Sequence, residues 1–152
     1  MVKMGEGFNG GEGVFDMAAV VTRKVVQLIW RMEDVIEKRE CEVEYCALSI
    51  EESPTISLTP RLSQIRRRSI TLRRFFAPQR EALIKLQNEA MFTGGDALLL
   101  REAGDRLQRL LEDLDAAREH ATLLQEEVFS VQNEAINDRM YSVAYTLARL
   151  HA

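Results

Sequence analysis

The chain has 152 residues, 46% of them apolar and 29% charged, which is enough for one folded domain with its own core. Its net charge of -4 excludes a general electrostatic case for nucleic-acid binding, so any basic surface must be local. With only 8 Gly and 3 Pro, disorder over most of the length is excluded, and no window holds the roughly 18–20 apolar residues of a membrane span.

The opening stretch, MVKMGEGFNGGEGVF, carries a lysine but no apolar run, so it is not a signal peptide. Five glycines in the first thirteen residues predict a flexible glycine-rich tail over 1–13. A first helix follows over 14–40. Ala18, Val21, Val25, Leu28, Met32 and Val35 alternate spacings of three and four, which puts them on one face. Asp16 is placed to cap its N-terminus, and Trp30 reads as a packing residue.

Residues 41–60 read as a connector, because Pro54 and Pro60 interrupt them among Ser and Thr. Cys41 and Cys46 have no His near them. A zinc site needs four thiolate or imidazole ligands at recognisable spacing, so the pair reads as two reduced thiols.

The second predicted helix runs from about 61 to 91 and contains TLRRFFAPQREALIKL. Leu62, Ile65, Leu72, Phe76, Leu83, Leu86 and Ala90 fit one heptad register, with Ser69 and Gln79 as polar interruptions. The register passes through Pro78. A helix beginning there would want a capping residue before it, and Ala77 offers none. The prediction is one kinked helix. Proline removes the bond to the Arg74 carbonyl at about 3 kcal/mol in a helix interior, offset by Phe75 and Phe76 packed at the bend.

Phe92, Thr93, Gly94 and Gly95 form the reversal, and Asp96 or Thr93 caps a third helix reaching to about 147. Leu100, Ala103, Leu107, Leu110, Leu114, Ala117, Ala121, Leu124, Val128, Val131 and Ala135 keep the three-four alternation throughout, the pattern of a coiled-coil seam. At about 1.5 Å per residue this predicts a rod roughly 75–80 Å long. Past Ala135 the seam shifts by one residue, to Ile136, Met140, Val143 and Leu147. Leu99, Leu111, Leu123 and Phe129 lie off the seam and predict exposed apolar flanks, the mark of self-association. The fold class is therefore all-α: a long antiparallel helical hairpin or coiled coil over 61–152, with one additional N-terminal helix.

Residues 61–80 hold seven arginines and no acid, while 96–139 hold eleven acids and five arginines. A phosphate-binding patch is one reading. The favoured reading is complementarity between neighbouring antiparallel helices, because the run lacks interleaved aromatics and a known nucleic-acid module; no nucleic-acid partner is expected. Glu102–Arg106, Asp105–Arg109 and Arg109–Asp113 have the spacing of ion pairs along a helix. Glu112, Asp113 and Asp115 form a denser group that invites a weak divalent-cation site, although an ordinary solvated face is favoured. His120 reads as a surface residue. No nucleophile with its base, no phosphate-cradling glycine loop and no catalytic carboxylate pair occurs, so no catalytic or cofactor-binding residue is assigned, no enzyme activity is expected, and the metal ligands are left unassigned.

Two stretches carry a resemblance: ITLRRFFAPQREALIKL at 70–86, with Arg73, Arg74, Pro78, Gln79, Arg80, Glu81 and Leu83 in place, and LREAGDRLQRLLEDLDAAREHATLLQEEVFSVQNEAINDRMY at 100–141. Together they resemble the CorA family of divalent-metal transporters, and within it the zinc-transporter branch, ZntB. The likeness extends over roughly 14–141, with RMEDVIEKRE fitting the preceding helix loosely. The resemblance implies the wall and stalk of a funnel on the cytoplasmic face of the bacterial inner membrane, a homopentameric assembly, and zinc or magnesium as the transported ion. In that family an αβ domain precedes the first helix, and an apolar span with a Gly-Met-Asn signature follows the Met-Tyr at 140–141. Neither is in this sequence, so the expectation is a cytoplasmic helical portion cut off before the membrane, not transport-competent alone. The rival expectation is a soluble coiled-coil interaction module with no transport role.

Overall fold

Apolar side chains recurring every three or four residues must be covered by neighbouring helices, and three helices do this: α1 (Gly10–Glu52), α2 (Leu58–Gln87) and α3 (Gly94–Leu150). The computed structural model describes residues 10–52 and 58–150, with the side chains of 17–50 and 58–150. No strand occurs among them. The fold is all-α, a helical hairpin with one additional N-terminal helix, as the periodicity predicts.

α1 is longer than the sequence reading made it. It begins at Gly10, inside the expected glycine tail, and continues past residue 40 to Glu52 through most of the expected connector. The remainder of that connector at 53–57, with Pro54, and the tail at 1–9 lie outside the described residues. The reason for the extension is a heptad row: Thr22, Ile29, Ile36, Val43 and Ile50, accompanied by Ala18, Met32 and Cys46, are all buried. The face is also rotated from the expected one. Leu28 and Val35 are exposed, because the row one residue further on takes the inner position.

α2 runs unbroken through Pro78 and starts three residues early, at Leu58. Leu62, Ile65, Ser69, Phe76 and Leu83 are buried, so the polar Ser69 keeps its place in the seam. Phe75 is 64% exposed, so only Phe76 packs inward beside the proline. The helix stops at Gln87, short of 91. The chain then tightens through Asn88 N–H to the Lys85 carbonyl and Glu89 N–H to the Leu86 carbonyl, each 3.1 Å. Gly94 takes φ +57°, a left-handed conformation that a side chain resists, and α3 follows at once. Phe92 is buried in the turn.

The chain packs as two units, each drawing on all three helices: residues up to Val35 with Arg74–Glu112, and Ile36–Arg73 with the chain from Asp113 onward. In the first, Leu100, Ala103, Leu107 and Leu110 bury the α3 seam. Leu111, expected on an exposed flank, is also buried. In the second, Val43, Cys46 and Ile50 of α1, Leu58, Leu62 and Ile65 of α2, and Ala117, Ala121, Leu124 and Val128 of α3 form one core cluster. Covering each of these aliphatic side chains contributes about 1.5–3 kcal/mol for the larger ones. The seam is buried to Val128 and no further; residues 133–150 are exposed along their whole length.

One contact in the first unit fixes how α2 meets α3. The Gln87 amide donates to the Leu100 carbonyl at 2.8 Å. It reaches there because residue 104 is glycine: a Cβ at 104 would stand 2.6 Å from Gln87 Nε2. Gly104→Ala gains about 1 kcal/mol of helix propensity but displaces the amide, losing about 0.5–1.5 kcal/mol of hydrogen bond. We therefore expect Gly104→Ala to be near neutral alone and stabilising by about 1 kcal/mol in a Gln87→Ala background. Urea unfolding of the four proteins of this cycle is the check; equal effects in both backgrounds would mean the two residues do not interact.

Candidate functional site

The arginine stretch of α2 is only partly neutralised by α3. Arg73 Nε donates to both carboxylate oxygens of Asp115, at 2.7 and 2.8 Å. This bifurcated contact explains one arginine of the Arg73-Arg74 motif and one acid of the Glu112, Asp113, Asp115 group. Arg61 instead lies over the Tyr45 ring of α1, 4.8 Å from its centroid. Arg66, Arg67 and Arg68 form no ion pair among the described residues. The expected helix-to-helix pairing of the whole run is thus reduced to one bridge. The half-exposed surroundings of Arg73 and Asp115 keep that bridge modest in strength.

On α3 the i,i+4 pairs Glu102–Arg106 and Asp105–Arg109 do not form. Arg106 reaches across to Glu33 of α1, 3.1 Å away, and its guanidinium sits 5.7 Å from the centre of the Trp30 ring. Trp30 is 61% exposed, so it is a surface ring held by a cation and not a core residue. Beside it α1 and α3 leave an open groove of about 510 Å³ over Val26, Ile29 and Ala103.

The acids do not converge on a metal centre. Among the described residues no three His, Cys, Asp or Glu side chains come together so as to hold a metal ion. Glu112 accepts a hydrogen bond from Gln108 at 2.6 Å, Asp115 is held by Arg73, and His120 is exposed. Titrating zinc or magnesium into the chain by calorimetry should therefore show binding no tighter than roughly millimolar, the range of open, weakly caged sites. Tight stoichiometric uptake would reveal a closed cage.

A second acidic patch was not singled out from the sequence. Glu37, Glu40 and Glu44 follow one another at helical spacing on α1, and Asp113 of α3 faces them. Partial burial pushes the Glu40 carboxyl up, and the charges of Asp113, Glu44 and Glu37 push it further. The ionised form is therefore disfavoured in the fold. Its penalty is present above the raised value and is relieved as pH falls through that value and then through the ordinary carboxylate range. Glu40→Gln should raise the melting temperature at about pH 7, and the gain should fade towards about pH 4. A gain that persists undiminished in acid would trace to something other than the carboxylate charge.

Both cysteines are free thiols on α1, Cys41 exposed and Cys46 buried. Burial pushes the Cys46 thiol up, against the nearby Arg61 charge, which suits a packing role in the core cluster.

Beyond Val128, α3 carries Phe129, Ile136, Met140, Val143 and Leu147, all exposed. From Ile136 to Leu147 they line one almost wholly apolar strip, edged by Arg139. Even so, no helix among the described residues is long and apolar enough to cross a membrane.

Comparison with known proteins follows the same helices. The family model described as CorA-like Mg2+ transporter protein matches residues 4–147. The zinc transport protein ZntB of Pectobacterium carotovorum is 36% identical over 85 residues, 55% of this chain and 26% of that protein. ZntB of Photorhabdus laumondii is 33% identical over the same length. The divalent cation transporter CmaX of Pseudomonas aeruginosa is 33% identical over 138 residues, 90% of this chain and 39% of that protein. The chain thus spans about a quarter of the ZntB proteins it matches. No solved structure matches it. With one family model matching nearly its whole length, over helices that bear the Arg73–Asp115 bridge and the unbroken α2 proline, this chain belongs to the CorA-like Mg2+ transporter family.

Proposed function

We propose that the chain is the cytoplasmic helical portion of a divalent-cation transporter of the CorA and ZntB type, carrying zinc or magnesium in its complete form. The observation that carries this reading is the match to the family over residues 4–147, joined by relatives named for zinc and for divalent cations. In this reading α2 and α3 contribute wall and stalk, α3 points its distal end at the inner membrane, and the 152 residues do not transport alone. The exposed strip from Ile136 to Leu147 supports a homo-oligomer, since contiguous apolar surface on a polar helix marks an interface.

The reading is tested by fusing residues 14–141 to the membrane part of the Pectobacterium ZntB and reconstituting the protein in liposomes loaded with a zinc-sensitive dye. The fusion should admit zinc, and the 152-residue chain should give no signal above protein-free liposomes. A fusion that is inserted and helical but passes no zinc overturns it.

A further inference from the structure

In the unit formed by Ile36–Arg73 and the chain from Asp113 onward, two surfaces of opposite sign stay uncompensated. On α2, Arg67 and Arg68 are exposed, Arg66 is half-buried, and Ile70 beside them is 49% exposed. None of the three arginines forms an ion pair among the described residues, although Arg73 in the same helix does. Where α1 faces α3, Glu37, Glu40 and Glu44 follow one another at helical spacing, Asp113 lies near enough for its charge to act on Glu40, and none of the four forms an ion pair among the described residues. Arg39, which lies between them in sequence, is turned to Glu42 at 2.6 Å.

We propose that the Arg67–Arg68 face of α2 docks on the Glu37, Glu40, Glu44 and Asp113 patch of a second copy of this chain. The inference rests on the homo-oligomer reading above and adds to it which surfaces meet. The argument for a second copy is charge complementarity. A partner for the arginine face must be acidic and a partner for the carboxylate patch must be basic; this chain offers both, on different faces of one unit. Such a contact is heterologous, each copy giving one sign and receiving the other, so both patches are satisfied at once by repetition around an axis. Ile70 supplies an apolar contact amid the charges, the usual composition of a polar interface with a small dry centre. Burial first, and then the charges of Asp113, Glu44 and Glu37, raise the Glu40 carboxyl, and arriving guanidinium groups offset the repulsion among those charges. Complementary charge of this kind sets partner orientation and register more than it sets raw affinity.

The test is sedimentation velocity of the full chain across roughly a hundredfold range of concentration, at about 50 mM and about 500 mM NaCl, with helicity followed by circular dichroism. Self-association should weaken at the higher salt. Arg67→Glu with Arg68→Glu should weaken it about tenfold or more, and so should Glu37→Lys, Glu40→Lys and Glu44→Lys together. An equimolar mixture of the two variants should associate close to the unaltered chain, because each again faces its opposite. The neutral variant Arg67→Gln with Arg68→Gln, which adds no repulsion, should also weaken association; it is decisive if a reversed variant loses helicity. Association that ignores both salt and these substitutions, or a mixture no stronger than its components, overturns this inference and leaves the homo-oligomer reading standing. A chain that is monomeric throughout overturns both.

Discussion

Every stretch of α3 up to Val128 faces the same requirement: a row of Leu, Ala and Val side chains, spaced by three and four, has to be withdrawn from water by helices that come from elsewhere in the chain. The row combines small and large residues. Ala103, Ala117 and Ala121 allow close approach, while Leu107, Leu114 and Leu124 fill the space between. Gly104 carries the same logic to its limit, since the Gln87 amide occupies the volume that a methyl group would take. The lengths of α1 and α2 follow from this. Both persist for as long as they have α3 seam to cover, and α2 does so even across a residue that cannot donate its backbone hydrogen bond.

Much of this was legible in the sequence, and where it was not the cause can be named. The α3 seam is written in aliphatic residues without interruption, and each expected position from Leu100 to Val128 is buried. The α2 register survives Ser69 and Pro78 because the residues on either side hold it. In α1 the matching rows contain Thr22 and Arg39, so the neighbouring line through Val21, Leu28 and Val35 looked more apolar than the true inner face. Further on, Pro54 and Pro60 among Ser and Thr suggest a connector over 41–60 and mask the continuation of α1 through Val43, Cys46 and Ile50.

Charged contacts were less legible, because a sequence shows which charges exist and not which can reach one another. Long side chains on neighbouring helices have many partners within reach, and the fold selects among them. Arg73 found Asp115, Arg106 chose Glu33 of α1 over Glu102 one turn away, and the remaining arginines of the run form no ion pair among the described residues. The α1 carboxylates at Glu37, Glu40 and Glu44 share a face by their spacing, but only the fold brings the charge of Asp113 to bear on Glu40. Family membership rests on the helices and their motif, and the chain spans about a quarter of the length of the ZntB proteins it matches.

The exposed length of α3 from residue 133 to 150 makes a single helix thermodynamically uneven. Its earlier turns in the same unit, from Ala117 to Val128, are locked to the core cluster and can open only when that cluster opens. Its later turns are exposed and covered by none of the described residues, and an isolated helical stretch of that length is marginal in water. Fraying from the C-terminal end therefore proceeds without disturbing the core, so one helix spans two regimes of local stability. No single free energy of unfolding describes it, and whatever binds the distal turns adds order there that the chain alone does not supply.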